Sequence, residues 1–196
     1  MFRNIEGQLE DDAKAAGGGD DAADRRRDFA GEFRRLYDTT FPILFRIAYR
    51  IANSREAAED LCHDSFFRLH EKNMVFPNSE EAKYWLIRVV KNTALNYAKR
   101  KERERKAYQR AFREDHRQEE TGEGLLVKKE IRAEVQEALN KLPENLRMAL
   151  ILKEYADMNY KEIGKVLGIS DGNVKVRVFR ARERLAALLQ GGANVS

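Results

Sequence analysis

Between Tyr160 and Arg182 the apolar side chains fall at the spacing of two short helices joined by a tight turn. Ile163 and Leu167 are spaced to point inward from the first helix, and Gly164 puts a small residue where a second helix must cross closely. Gly168 suits the left-handed backbone of the turn, Ile169 points inward, and Ser170 can cap the next helix. Val174, Val178, Ala181 and Leu185 then bury one face of that helix. Its other face shows Gly172, Asn173, Lys175, Val176, Phe179 and Arg180, flanked by Arg177, Arg182 and Arg184. Arg reads guanine bidentately, Asn reads adenine, and an apolar side chain meets the thymine methyl group. Helix-turn-helix spacing also occurs in domains that never touch DNA; here the basic outward face favours DNA.

The rest of the chain reads as helical from about Asp28. Phe29, Phe33, Leu36 and Tyr37 recur at helical spacing. Thr39 or Thr40 can cap a second helix with Pro42 in its first turn, carrying Leu44, Phe45, Ala48 and Ile51 inward. Asn53-Ser54 breaks it, and a third helix is predicted over Arg55–Glu71. Asn73 to Ser79 reads as a loop, and Asn78 to Glu81 as a capping box opening a fourth helix that ends near Arg100. Only three prolines and few alternating Thr/Val-rich runs argue against an all-β fold. The expectation is an all-α chain of two small helical domains joined by a charged linker. Its boundaries are a disordered acidic tail over 1–27, a four-helix domain over 28–100, a linker over 101–126, a helix-turn-helix domain over 127–190 and a tail over 191–196.

Charge is distributed unevenly over these segments. Residues 1–24 hold seven acidic side chains against two basic, a net of −5. Residues 97–117 hold nine basic against four acidic, a net of +5, and residues 171–190 hold five against two, a net of +3. Basic islands of this kind suit nucleic acid, although charge runs are also ordinary solvated faces.

Several function classes are excluded. No apolar run approaches the ~18 residues of a membrane span, so no membrane insertion is expected. The start lacks the basic and apolar regions of a signal peptide. A single cysteine, Cys62, allows no internal disulfide and no Cys-rich zinc site. His63, His70 and His116 are not spaced as a metal pair, and Asp60, His63 and Asp64 lack a second-helix ligand. With no phosphate loop and no nucleophile–base arrangement, no catalytic residue, metal or cofactor is assigned.

Two further faces stand out. At about 100° per residue, the third helix puts Ala58, Leu61, Cys62, Ser65, Phe66 and Leu69 on one side. Glu56, Asp60, His63 and Phe67 fall opposite, edged by Glu59 and Asp64. That stripe is either a soluble surface or a docking face for a basic partner. The fourth helix has a core stripe of Ala82, Trp85, Leu86, Val89, Val90, Thr93 and Tyr97. Its other side carries Tyr84, Arg88, Lys91, Asn92, Leu95 and Lys99, with Asn73, Phe76 and Asn78 in the preceding loop. Interleaved aromatic, amide and basic groups suit unpaired bases and phosphates, and equally a mixed solvent face.

These residues resemble a known family. Leu142-Pro143-Glu144-Asn145-Leu146-Arg147, Tyr160-Lys161-Glu162-Ile163-Gly164, Gly168-Ile169-Ser170, Val174-Lys175-Val176-Arg177 and Arg180-Ala181-Arg182 look like region 4 of bacterial sigma factors. Glu59-Asp60-Leu61-Cys62-His63-Asp64-Ser65-Phe66, Trp85-Leu86-Ile87-Arg88 and Asn92-Thr93-Ala94 look like region 2. The order of the two, the linker and the short length resemble the extracytoplasmic function (ECF) group, over roughly residues 28–189. The resemblance implies a cytoplasmic transcription initiation factor, without enzymatic activity or cofactor, that binds core RNA polymerase and directs it to promoters. Implied partners are the polymerase β′ clamp coiled coil and β flap, promoter DNA and an anti-sigma factor. It implies polymerase contact by Glu59, Asp60, His63, Asp64 and Phe67. For the −10 element it implies Asn73, Phe76, Asn78, Arg88, Lys91 and Asn92. For the −35 element it implies Lys175, Val176, Arg177, Phe179, Arg180 and Arg184. Gly164 replaces the family's commoner Ala, and Asn173 and Val176 stand where Thr and Ser are frequent. The rival reading is a stand-alone helix-turn-helix transcriptional regulator, which would need a ligand pocket or a symmetric apolar face that the N-terminal half does not suggest.

Overall fold

The computed structural model describes residues 20–72, 74–111 and 133–193. The helices are α1 (Asp20–Ala52), α2 (Arg55–Glu71), α3 (Ser79–Ala111), α4 (residues 133–141), α5 (Glu144–Tyr155), α6 (Tyr160–Leu167) and α7 (Asp171–Ala193). No strand occurs among the described residues, so the chain is all-α as expected. No described helix is long and apolar enough to cross a membrane. Contacts between residues cluster into two units, Met1–Pro42 and Ile43–Ser196.

The first correction concerns α1. It begins at Asp20, inside the stretch predicted to be a tail, and it continues through Pro42 where a new helix was expected. Residues 1–19 lie outside those described. Neither Thr39 nor Thr40 caps a helix: the Thr39 hydroxyl donates back to the Arg35 carbonyl at 2.7 Å, a bond made within a helix. Proline removes one helical hydrogen bond and costs about 3 kcal/mol in a helix interior. In the second unit the buried run Leu44, Ile47, Ala48 and Ile51 continues the helical stripe directly after Pro42. Burying each large side chain contributes about 1.5–3 kcal/mol, which outweighs the defect.

Asn53 ends α1 in the left-handed conformation at φ 52°, which asparagine tolerates. Ser54 then caps α2, its hydroxyl oxygen accepting the Ala57 N–H at 3.2 Å. From α2, Ala58, Cys62 and Phe66 are wholly buried, joined in the core by Leu86, Ile87 and Val90 of α3. Burial, and then the Glu59 carboxylate, push the Cys62 thiol up to about 12.

The second correction concerns α3, which runs to Ala111 rather than stopping near Arg100. The extension has the composition of a linker but its charges pair along the helix. Arg105 meets Glu102 at 2.9 Å, Lys106 meets Glu102 at 3.3 Å and Lys101 meets Glu104 at 3.1 Å. Pairs three and four residues apart each stabilise a helix by about 0.2–0.5 kcal/mol, and Lys, Arg and Glu are strong helix formers. In the C-terminal half, α5 packs on α7 and α6, and α6 on α7. Leu150, Ile151, Leu152, Met158, Ile163, Val174 and Val178 form their buried core.

Candidate functional site

The helix-turn-helix is built by α6 and α7. Asn159 and Glu162 form a capping box: the Asn159 side chain accepts the Glu162 N–H at 3.0 Å, and Glu162 accepts the Asn159 N–H at 2.6 Å. This cap was not anticipated, although Asn-x-x-Glu before an apolar residue is its signature. Gly168 closes α6 at φ 69°, as expected of the turn glycine. Gly164 supplies the close crossing, since a Cβ there would lie 2.6 Å from the Ile169 carbonyl oxygen. The Ser170 hydroxyl oxygen accepts the Asn173 N–H at 3.3 Å and starts α7.

On α7 the periodicity holds over the first three turns, while Leu185, expected inward, is half-exposed. Val174, Val178 and Ala181 are buried, while Lys175, Val176, Phe179, Arg180 and Arg184 are exposed. Phe179 is 63% and Val176 46% exposed, an apolar pair standing among bases with no core to fill. Arg177 is half-buried, so it presents less of itself than its neighbours. Arg182 donates to the Glu154 carboxylate of α5, so it braces the domain from the flank.

On α2, Asp60, Asp64 and Phe67 are exposed, and Glu59 and His63 are half-exposed. Glu59 is bound by Arg55 at 3.0 Å. Phe67, at 45% exposed, interrupts the carboxylates on the side away from buried Cys62 and Phe66. The stripe is therefore a real outward face with one apolar contact point. Asp60 and Asp64 also border a groove shared with Arg68, Arg100 and Arg103.

The third face differs most from expectation. Asn73 lies outside the described residues. Phe76 is half-buried, its ring 5.9 Å from that of Trp85. The Asn78 side-chain oxygen accepts the Glu81 N–H at 2.9 Å, so it is engaged as the expected cap. Val75, which the sequence did not single out, is 90% exposed in this loop. On α3, Asn92 is exposed and Lys91 half-buried, with burial lowering the Lys91 ammonium. Tyr84 and Leu95, expected outward, are only 3% and 7% exposed. The physical reason for Tyr84 is α6, which packs on α3. The Tyr84 hydroxyl donates to Glu162 at 3.3 Å, and the Lys165 ammonium lies 5.2 Å from its ring centre. Burial and the Glu162 carboxylate push the phenol up to about 12. The Arg88 guanidinium donates to the Lys165 carbonyl at 3.1 Å. A helical wheel drawn for α3 alone has no means of placing a neighbour on that side.

No cluster of His, Cys, Asp and Glu suited to a metal ion occurs among the described residues. The arrangement leaves three faces with exposed side chains: a basic helix with an apolar pair, an acidic stripe with one aromatic, and a mixed face on α3.

Two family models match the chain. Residues 36–104 match the family model for sigma-70 region 2, and residues 132–185 match that for sigma-70 region 4. The chain is 31% identical over 148 residues to the ECF RNA polymerase sigma factor SigE of Mycolicibacterium smegmatis, covering 72% of this chain and 55% of that relative. It is 31% identical over 149 residues to the RNA polymerase sigma-H factor of Pseudomonas aeruginosa, covering 72% of this chain and 77% of that one. Its fold is similar to the sigma factor RpoE of Bartonella quintana, solved in complex with the anti-sigma factor NepR. The TM-score is 0.57 at 24% identity, over 81% of this chain and 96% of that one.

Proposed function

The chain belongs to the sigma-70 family, in its ECF group, and acts in promoter-specific transcription initiation; from that premise we propose which of its surfaces meet which partners. The family consists of initiation factors rather than enzymes. The acidic stripe of α2, with Asp60, Asp64, His63, Glu59 and Phe67, docks on a basic surface of core RNA polymerase, the β′ clamp coiled coil. The face of α7 enters the major groove of the −35 element with Lys175, Val176, Phe179 and Arg180. The loop before α3, with Arg88, Lys91 and Asn92, holds the −10 strand once it is unpaired. An anti-sigma factor is a further partner, as for the Bartonella quintana protein. The protein works in the cytoplasm, where polymerase and promoters are.

The observation that carries this reading is the exposure of Phe179 and Val176 between Lys175 and Arg180, on a helix whose opposite side buries Val174, Val178 and Ala181. Solubility alone disfavours that apolar pair, whereas thymine methyl groups and guanine edges use all four side chains. The decisive experiment mixes the chain with core polymerase and selects from a promoter library randomised at −35 and −10. Transcripts that neither component yields alone are expected, each promoter carrying both elements. A palindrome bound by the chain without polymerase would instead establish a stand-alone regulator.

Two variants in the same selection test the orientation of α7. Arg180→Ala is expected to lose about 1–3 kcal/mol on the preferred sequence and to relax preference at one or two base pairs. Arg184→Ala, one turn further along, should leave the selected sequence unchanged while weakening binding to all sequences and flattening the salt dependence. An unaltered −35 preference in Arg180→Ala would show that another side chain reads the bases.

A further inference from the structure

A cleft of about 1150 Å³ opens where α3 passes the end of α1 and the corner between α4 and α5. Its walls come from four helices: Ile51 and Ala52 of α1, the stretch from Leu95 to Arg105 of α3, Glu137 to Lys141 of α4, and Arg147 of α5. That size suits a small-molecule ligand. Its charge is one-sided. Lys99, Lys101, Arg103, Arg105, Lys141 and Arg147 line it against Glu102 and Glu137, a net of +4. The carboxylates are already engaged. Glu102 holds Arg105 at 2.9 Å and Glu137 holds Lys141 at 2.8 Å. Lys99 pairs with Glu144 at 2.9 Å, and Lys101 with Glu104 at 3.1 Å. Arg103 and Arg147 meet no carboxylate among the described residues. Each donates to a backbone carbonyl instead, Arg103 Nε to Lys99 at 3.3 Å and Arg147 Nη1 to Asn140 at 3.2 Å.

Arg147 carries the argument furthest. It is half-buried, and burial pushes its guanidinium down despite the Glu144 carboxylate. Its Nε is the one buried side-chain polar atom without a hydrogen-bond partner among the described residues. A buried charged donor left unpaired is destabilising, and a bound anion relieves it. With Nη1 held by Asn140, the Nε–Nη2 edge remains, the edge that takes two oxygens of one phosphoryl group side by side. Lys99 and Arg103 stand four residues apart on α3, about 6 Å along the helix, so a second phosphoryl group has cations of its own.

We propose that this cleft binds a small anion carrying two or more phosphoryl groups, held by Arg147 from α5 and by Lys99 and Arg103 from α3. None of these three residues belongs to the surfaces assigned above to polymerase or promoter DNA. Walls drawn from four helices fit a compact anion and keep a DNA duplex, with its phosphates on a broad convex surface, away from half-buried Arg147. Inorganic polyphosphate and nucleoside polyphosphates share this chemistry, and the test separates them.

The test titrates the full chain with tripolyphosphate, ATP, orthophosphate and sulfate in metal-free buffer at one ionic strength, followed by calorimetry and thermal melting. Tripolyphosphate or ATP should saturate a single site and raise the melting temperature, since a ligand that binds only the folded chain stabilises it. Orthophosphate and sulfate should bind on the order of tenfold more weakly. Tighter binding of tripolyphosphate identifies the inorganic source, and tighter binding of ATP a nucleotide whose base is also held. Arg147→Gln and Arg103→Gln should each weaken binding severalfold. Arg110→Gln, exposed on the same helix outside the cleft, should leave it unchanged. Should Arg147→Gln fail to fold, the contrast between Arg103→Gln and Arg110→Gln decides alone. The proposal is overturned if neither polyphosphate saturates, or if Arg103→Gln binds as the parent does. It is equally overturned if Arg110→Gln weakens binding as much as Arg103→Gln, because the chain's general positive charge would then account for it.

Discussion

Asp60→Lys combined with Asp64→Lys should reduce affinity for core polymerase on the order of a hundredfold, since like charges set against each other at an interface cost several kcal/mol. Both carboxylates are exposed, and neither is a cap or part of the core. Surface changes of this kind move stability within about 0.5 kcal/mol, so the melting temperature should stay close to that of the parent. Asp60→Asn with Asp64→Asn separates loss of attraction from repulsion and should cost less. Phe67→Ala tests the apolar contact point between them. Titration of each variant against core polymerase measures these effects directly. Unchanged affinity of the double lysine variant would remove α2 from the interface. Glu59 is a poorer choice for the experiment, because Arg55 already holds it at 3.0 Å and its loss would also disturb the first turns of α2.

Gly164→Ala is expected to destabilise the C-terminal half by about 1–3 kcal/mol, the usual cost of forcing an extra carbon into a packed site. Intrinsic propensity alone predicts the reverse, because Ala is preferred to Gly by about 1 kcal/mol in a helix interior. The geometry decides between them. The new Cβ would lie 2.6 Å from the Ile169 carbonyl oxygen, which is backbone and cannot swing aside. Gly172→Ala is the matched control, with nothing within 4 Å of its added carbon. There the chain should gain a few tenths of a kcal/mol from the smaller entropy of its unfolded state. Thermal melts followed by circular dichroism should therefore move in opposite directions. A stabilised Gly164→Ala variant would show that the two helices separate readily, and the crossing would not then depend on glycine.

Sequence and structure agree where burial is one-sided and local. The bounds of α2 followed from Ser54 and its apolar stripe, and the orientation of α7 followed from Val174, Val178 and Ala181. The same pattern misleads where one helix has two neighbours. Tyr84 looked outward because the wheel for α3 has a single core side, and α6 supplies a second. The end of α3 was hidden for a different reason. Residues 101–111 carry so few apolar groups that no stripe exists, yet pairs such as Arg105 with Glu102 hold the helix without one. Pro42 misled in the opposite sense: a residue favoured in first turns sits within a longer helix that burial sustains. The exposed stripes of α2 and α7 were legible as faces, but which element covers α3 depends on contacts between residues 77 and 78 positions apart, and no local pattern records those.

The placement of Cys62 bears on signalling. A thiol pushed up to about 12 is almost entirely protonated at neutral pH, and its side chain has no path to solvent. Peroxide and electrophile sensing run through an accessible thiolate, which this site does not provide. Cys62 is therefore not the group through which an oxidant would act on this chain. A Cys62→Ser variant should leave any peroxide response of its target genes in place.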